Sequence, residues 1–193
     1  MASVIDHLLD QRIPFVVLPA PNARSPREAA AVHGVDLVEL IRTEVIVTRG
    51  GAVAVVIGAT ATFDLTSARG AVRDVTARMA TVAEIRAMAR DCDVDALPPL
   101  SRYLVAPVYA DPSIAALEQV VFPAGRASVL VCMRRADLFL AEPVTVAALT
   151  GVAPVETAEL SVVAPSRRIV LTDAELVPAH LAGPGSGGAL RSA

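Results

Sequence analysis

The stretch LIRTEVIV, residues 40–47, is the part of the sequence that best indicates the fold. A short helical segment, residues 36–41, runs into β-branched residues without an intervening glycine or proline, which predicts a helix-to-strand join at Arg42 and Thr43. Side chains at such joins project from the end of a sheet, where open α/β architectures place their pockets. Arg42 and Thr43 are therefore the first candidate site residues.

A hairpin signature follows this join. Residues 44–48 and 52–57 are two apolar runs joined by Arg49-Gly50-Gly51, in which glycine can supply the positive φ of a tight turn. Almost every residue of the second run is apolar, which is typical of a strand buried on both faces. The two runs predict a β-hairpin with a buried second strand.

Helix-capping signals surround the hairpin. Ser25, Pro26 and Glu28 predict one capping box, and Thr81 with Glu84 predicts another. Further helices are expected over residues 4–9, 64–72 and 134–140. Further strands are expected over residues 15–18, 104–109, 120–122 and 129–133, with weaker signals over residues 144–149, 158–163 and 169–171.

These elements predict an α+β (mixed α/β) fold, with a largely antiparallel mixed sheet or a barrel-like sheet surrounded by helices. Hairpin connections outnumber regular βαβ spacing, and the sequence contains no G-x-G-x-x-G, so a Rossmann domain is not expected. Residues 91–102 are predicted to form a loop, because Pro98 and Pro99 prevent regular strand pairing there.

Composition limits the classes of function. The 193 residues are 54% hydrophobic, enough for one well-buried core, and the formal net charge of -3 gives no global field for nucleic acid. All seventeen basic residues are arginine, so chemistry that needs a lysine is excluded. No apolar run reaches about 18 residues, so no membrane span is expected, and we expect a cytoplasmic protein.

Neither the cysteines nor the histidines show metal-ligand spacing. Cys92 and Cys132 lie far apart with no C-x-x-C pair, and His7, His33 and His180 are isolated from one another. We therefore expect no metal site and no zinc enzyme.

Six segments occur in an order and at spacings that are more specific than any one of them: SPREAAAVHGV (25–35), IRT (41–43), AVAVVIG (52–58), MATVAE (79–84), DALPP (95–99) and VYAD (108–111). Together they resemble the YbaK and ProX family of aminoacyl-tRNA deacylases, also found as the editing insertion of prolyl-tRNA synthetases. The resemblance covers roughly residues 24–140. It implies a YbaK-like domain over residues 1–142, a C-terminal extension over 143–182 and a flexible tail over 183–193.

The sequence departs from the family where the family carries out its chemistry. Arg42 stands where the family has a lysine, and Glu44 stands where an apolar residue is usual. Asp95 replaces the loop glycine before Ala96, and Ser101 replaces the glycine after the two prolines. An arginine keeps the charge but not the reach of a lysine, and a carboxylate at Asp95 would narrow the pocket and repel tRNA phosphates unless Arg42 or Arg102 paired with it.

The resemblance implies a trans-acting aminoacyl-tRNA deacylase in which water hydrolyses the ester of a mischarged tRNA. The family's lysine helps to orient the ester or the adenosine end, and its loop lets the backbone approach the carbonyl. The residues expected to act in catalysis are Arg42, Asp95 and Ala96. The residues expected to bind substrate are Thr43, Leu97, Pro98 and Asp111. The expected partner is the 3′ end of an aminoacyl-tRNA, and an aminoacyl-tRNA synthetase is a further candidate. We expect no binding to DNA or to a membrane, and no cofactor. Both a monomer and a homodimer are compatible with the sequence.

Structural alternatives remain for each of these residues. Arg42 could be a surface arginine paired with Glu39 or Glu44, Asp95 a solvated loop residue, and Asp111 a helix cap. The altered site also leaves open a catalytically silent protein of the same fold that binds tRNA or another protein.

Overall fold

The computed structural model describes residues 3–151. Within this range the helices are α1 (Val4–Asp10), α2 (Pro26–Val32), α3 (Leu65–Val72), α4 (Val82–Met88), α5 (Ser101–Leu104), α6 (Pro112–Ala115) and α7 (Arg135–Ala141). The strands are β1 (Val16–Pro19), β2 (Ile41–Thr48), β3 (Gly51–Gly58), β4 (Arg78–Met79), β5 (Val108–Ala110), β6 (Gln119–Arg126), β7 (Val129–Arg134) and β8 (Val144–Val146).

The strands form two sheets. One has the order β1-β7-β6 and is antiparallel throughout; the other has the order β4-β2-β3-β5-β8, antiparallel from β4 to β3 and parallel from β3 to β8. A bridge between Leu40 and Val121 joins the two sheets just before β2 begins. The predicted mixed, largely antiparallel architecture with helices around it is confirmed.

Residue alternation along β2 and β3 explains the layering. Ile41 and Val45 of β2 and Val56 of β3 face the other sheet in the largest apolar cluster, together with Phe122 of β6. The intervening residues, such as Ile46, pack on the outer side with α3. A third cluster lies between the smaller sheet and α2. The site described below lies at one end of the interface between the two sheets.

The predicted hairpin is confirmed. Strands β2 and β3 pair in register from Ile41 opposite Gly58 to Thr48 opposite Gly51. Gly51 adopts a φ of 121°, which an L-residue with a side chain rarely tolerates. Residues 53–57 are all buried, as expected for a central strand with both faces covered.

One capping box is complete and the other is only half formed. Thr81 and Glu84 bond reciprocally at the start of α4. At the start of α2, the Ser25 hydroxyl accepts from the Glu28 amide at 3.2 Å, but the Glu28 carboxylate accepts from the Arg24 amide and not from that of Ser25. The start of α2 is therefore predicted correctly. The predicted bond from the Ser25 amide to Glu28 is wrong, because the donor is the amide of the preceding residue, Arg24.

The strand predicted over residues 104–109 is too long. Leu104 belongs to the short helix α5, the chain turns at Val105 with a φ of 49°, and β5 begins only at Val108. Leu100, Tyr103 and Leu104 are all buried in the main cluster. Their i, i+3, i+4 spacing is the helical pattern, but the apolar residues of β5 follow so closely that the two segments were interpreted as one strand. The two-residue strand β4 was not predicted either.

Strand β8 extends the larger sheet beyond residue 142. Val144 pairs with Val108 and Val146 with Ala110, so the proposed C-terminal extension begins as the edge strand of this sheet. The further elements predicted over residues 158–163 and 169–171, and the tail over 183–193, lie outside the described residues. The division into 1–142, 143–182 and 183–193 stays a prediction. No helix in residues 3–151 is long and apolar enough to cross a membrane.

Candidate active site

A cavity of about 200 Å³ opens where the start of β2 meets the start of α2 and the loop before α5. Its lining combines two basic side chains, one carboxylate, two hydroxyls and an apolar floor. The lining residues are Ser25, Pro26, Arg27, Leu40, Ile41, Arg42, Thr43, Ala59, Asp95 and Pro123. The predicted site residues Arg42, Thr43 and Asp95 are thus brought to one cavity.

Two backbone hydrogen bonds fix the start of β2 at the seam between the sheets. The Leu40 carbonyl accepts from the Ala59 amide at 2.8 Å, and the Glu39 carbonyl accepts from the Val121 amide at 2.8 Å. The first bond ties the join to the end of β3, and the second ties it to β6. The segment before β2 is a single turn closed by the Glu39 amide on the Asp36 carbonyl, so the helix predicted over residues 36–41 does not form and the predicted helix-to-strand join is a turn-to-strand join.

The guanidinium of Arg42 is held by other groups of the chain. Its Nη1 donates to Glu44 Oε1 in a short contact, and its Nη2 donates to the Ala61 carbonyl at 3.1 Å. Its Nε is buried without a hydrogen-bond partner among the residues described. The end of the Arg42 side chain is therefore already engaged by other groups of the chain.

Thr43 carries an unsatisfied hydroxyl. Its residue is only 9% exposed, and its Oγ1 is buried with no partner in the described part of the chain. Strand alternation places Thr43 on the same side as Ile41 and Val45, toward the other sheet, whereas Arg42 projects to the opposite side. A buried hydroxyl without a partner costs about 1–3 kcal/mol, which a ligand that bonds to it would offset.

Asp95 lies at the rim of the cavity. Its side chain is exposed, and it has no ion-pair or hydrogen-bond partner within residues 3–151. The pairing with Arg42 or Arg102 that would offset its repulsion of phosphates is not formed: Arg42 is bonded to Glu44, and Arg102 contacts His7. The carboxylate of Asp95 is therefore a free negative charge beside the cavity.

The rest of the Asp95 loop is buried. Ala96, Leu97 and Pro98 are buried, and Leu97 packs in the main apolar cluster. The Ala96 amide donates to the Asp93 carbonyl at 3.0 Å, so this N–H is not free to bond a substrate. None of these three residues lines the cavity. Their side chains hold the loop in place beneath it.

The profile of one family matches this chain over residues 20–140, more than half of its length. That family is described as the aminoacyl-tRNA editing domain. The chain belongs to the aminoacyl-tRNA editing domain family. The resemblance to the YbaK family drawn from six short segments is thereby confirmed.

Solved structures of similar fold agree with this assignment. One described as a proposed trans-editing enzyme for prolyl tRNA synthetase has a TM-score of 0.68 and 22% identity, covering 77% of this chain and 95% of that one. A hypothetical protein has a TM-score of 0.68 and 21% identity, covering 77% and 99%. A proposed signal transduction protein from Marinobacter aquaeolei VT8 has a TM-score of 0.59 and 16% identity, covering 76% of this chain and 30% of that one. These likenesses show the fold; no curated protein sequence matches.

Within this editing-domain fold, Asp111 is placed away from the cavity. It caps α6, and its carboxylate accepts hydrogen bonds from the Ser113 amide and hydroxyl, the Leu149 amide and the Thr150 hydroxyl. Burial raises the pKa of Asp111, but these hydrogen bonds outweigh that effect and hold the pKa below its ordinary value. The structure thus gives Asp111 the capping role that the sequence left open, and it does not bring this residue to the candidate site.

Several cavity residues of this editing domain were not predicted. Ser25 and Pro26 were interpreted only as helix-start residues, and Arg27, Ala59 and Pro123 were not singled out. Arg27 is exposed and has no hydrogen bond or ion pair within the described range. The sequence offered only one signal for Arg27, its position directly after the helix start. Most arginines at such positions are solvated, so this signal does not indicate a cavity residue. In residues 3–151 no cluster of His, Cys, Asp and Glu suits a metal ion.

Proposed function

We propose that this protein is a trans-acting aminoacyl-tRNA deacylase with an altered active site, which hydrolyses the ester of a mischarged tRNA. The observation that carries the proposal is the cavity itself: in a member of the editing-domain family, it collects Arg42, Thr43 and Asp95. In this proposal the 3′-terminal aminoacyl-adenosine occupies the cavity, and water is the nucleophile.

The groups available at the cavity suit positioning more than covalent catalysis. Thr43 Oγ1 can donate to or accept from the ester or a ribose hydroxyl, because it has no other partner. The Asp95 amide has no hydrogen-bond partner within residues 3–151 and belongs to a residue that lines the cavity, so it replaces the amide of Ala96 as the candidate donor to the developing oxyanion. Among the described residues that line the cavity there is no Ser-His-Asp or Cys-His arrangement, which supports direct attack by water.

Arg27 is the arginine that, among the described residues lining the cavity, has no hydrogen bond or ion pair. Since Arg42 is bonded to Glu44 and to the Ala61 carbonyl, the exposed guanidinium of Arg27 is better placed to bind an RNA phosphate. The cavity volume of about 200 Å³ favours small aminoacyl groups such as alanyl, cysteinyl and seryl. The proposal includes a cytoplasmic site of action and leaves a synthetase partner and a homodimer as further possibilities.

A second candidate is a catalytically silent protein that keeps the scaffold and binds tRNA or a protein. The pairing of Arg42 with Glu44 favours it, because this pairing withdraws the cation that stands where the family has its lysine.

The deciding experiment incubates the pure protein at stoichiometric concentration with Ala-, Cys- and Ser-charged tRNAs. The deacylase proposal expects hydrolysis of at least one substrate above the rate in buffer. No hydrolysis of any substrate, followed by activity in the Arg42→Lys/Asp95→Gly double variant, would instead identify a silenced deacylase.

A further inference from the structure

We infer that Asp95 makes this site selective for aminoacyl esters with a free α-ammonium group. The inference rests on the proposed ligand, a 3′-aminoacyl nucleotide, but not on whether the ester is hydrolysed. It assigns a role to the residue that replaces the glycine expected in the family.

The cavity carries two opposite charges that do not neutralise each other. Asp95 and Arg27 both line it, and neither has an ion-pair partner within residues 3–151, so their charged atoms lie more than 4.0 Å apart. Three other arginines that could neutralise Asp95 are engaged elsewhere. They are Arg42 with Glu44, Arg102 with His7 and Arg126 with Asp93.

A 3′-aminoacyl nucleotide has the matching distribution of charge. Its α-ammonium lies next to the ester carbonyl, and its phosphate lies on the opposite side of the ribose. With the ammonium at Asp95 and the phosphate at Arg27, the ester lies between them. The start of β2, including Thr43, forms the cavity wall in that region. An N-acylated ester would lose the ammonium charge and leave Asp95 without its partner.

The loop holds Asp95 in a fixed position although its side chain is exposed. The Asp93 amide donates to the Gly125 carbonyl at 2.8 Å, and the Asp93 carboxylate accepts from the Ala127 amide at 3.2 Å. The five residues after Asp95 are buried. The backbone that carries this carboxylate is therefore ordered before the ligand arrives, which lowers the entropic cost of pairing with it.

The test measures binding of 3′-alanylamino-3′-deoxyadenosine 5′-monophosphate, an amide that is not an ester substrate, and of its N-acetyl derivative. The proteins are the natural chain, Asp95→Asn and the control Asp10→Asn. Asp10 is exposed, has no hydrogen bond or ion pair within residues 3–151 and lies outside the cavity, so both variants remove one negative charge. Calorimetric titration at pH 6.5 keeps most of the α-amino group protonated.

We expect the natural chain and Asp10→Asn to bind the free amine about tenfold more tightly than the N-acetyl derivative. We expect this preference to fall below about threefold in Asp95→Asn. The inference is overturned if Asp95→Asn keeps the preference, or if the natural chain has none. Equal unfolding midpoints of the three proteins exclude a trivial loss of structure.

Hydrolysis separates this inference from the proposed function. If the natural chain hydrolyses Ala-tRNA, Asp95→Asn should raise KM for Ala-tRNA while leaving the slower reaction of N-acetyl-Ala-tRNA unchanged. An equal loss of kcat on both substrates would make Asp95 a general base and overturn the inference. Selective binding without any hydrolysis would support the inference and reject the deacylase.

Discussion

Two aspartates in this fold have opposite surroundings. Asp111 is 5% exposed, and its carboxylate accepts four hydrogen bonds that connect β5 and α6 to the segment after β8. Asp95 is exposed and bonds to nothing in residues 3–151, at the rim of a cavity that also holds the unpaired hydroxyl of Thr43. In the account proposed above, the difference is one between architecture and recognition: the Asp111 carboxylate is used within the fold, whereas the Asp95 carboxylate is left to solvent and to a ligand.

The largest effect is expected at Asp111. Replacing it by alanine (Asp111→Ala) leaves the Leu149 amide and the Thr150 hydroxyl without their acceptor and removes the cap of α6. We predict a loss of about 2–4 kcal/mol in the free energy of unfolding, measured by urea titration. Asp95→Ala should change it by less than about 0.5 kcal/mol. Similar losses in both variants would remove the distinction.

Acid should remove the stabilisation that the Asp111 carboxylate gives to the fold. Because the pKa of Asp111 lies below its ordinary value of 3.8 in the folded protein, its carboxylate stabilises the fold above that pH. The contribution is lost as the pH falls through the lower folded-state pKa. We predict that the urea midpoint falls more steeply between about pH 5 and pH 3 in the natural chain than in Asp111→Asn. Parallel pH profiles would show that the four hydrogen bonds do not depend on the charge.

The Thr43→Val variant tests the role of the Thr43 hydroxyl through its effect on the free energy of unfolding. Valine has nearly the same shape and removes a buried hydroxyl that has no partner, so the free energy of unfolding should stay the same or rise by up to about 1 kcal/mol. Binding of the aminoacyl-adenosine amide should weaken about tenfold in the same variant. A clear loss of stability would indicate that Thr43 bonds within the protein and does not await a ligand.

The smallest effect is expected for Arg27, on the salt dependence of RNA binding. Arg27→Gln should reduce the salt dependence of binding to a single-stranded RNA ending in CCA by about 0.7 in the log-log slope, which corresponds to one phosphate contact. Arg24→Gln is the matched control, because Arg24 is exposed, has no side-chain partner in residues 3–151 and does not line the cavity. Equal slopes in the two variants would count against Arg27 as the phosphate contact.

Local signals predicted most of the fold. The hairpin of β2 and β3, the N-cap residues of α2 and α4, and the mixed antiparallel character all depend on short-range patterns. The sequence could not show that Leu104 ends a helix, because apolar residues at helical spacing ran directly into those of a strand. It also could not show the parallel pairing of β8 with β5, which joins residues far apart in the chain.

The candidate site was predicted only in part, for the same reason. Arg42 and Thr43 were singled out at the join before β2 and then by a family segment, Asp95 by its family segment alone, and the structure brings them to one cavity. Arg27 lines that cavity because α2 packs beside the start of β2. Asp111 does not line it, and its carboxylate accepts a hydrogen bond from the Leu149 amide after β8. Both outcomes depend on tertiary contacts between distant segments.

The most direct test of the central claim is an NMR titration of the natural chain with the free-amine alanylamino-adenosine monophosphate. We predict that the largest backbone amide shift changes fall at Arg27, Thr43 and Asp95, and that Ser113 and Thr150 beside Asp111 change little. Changes centred on Asp111, or none near the start of β2 at saturating ligand, would contradict the account.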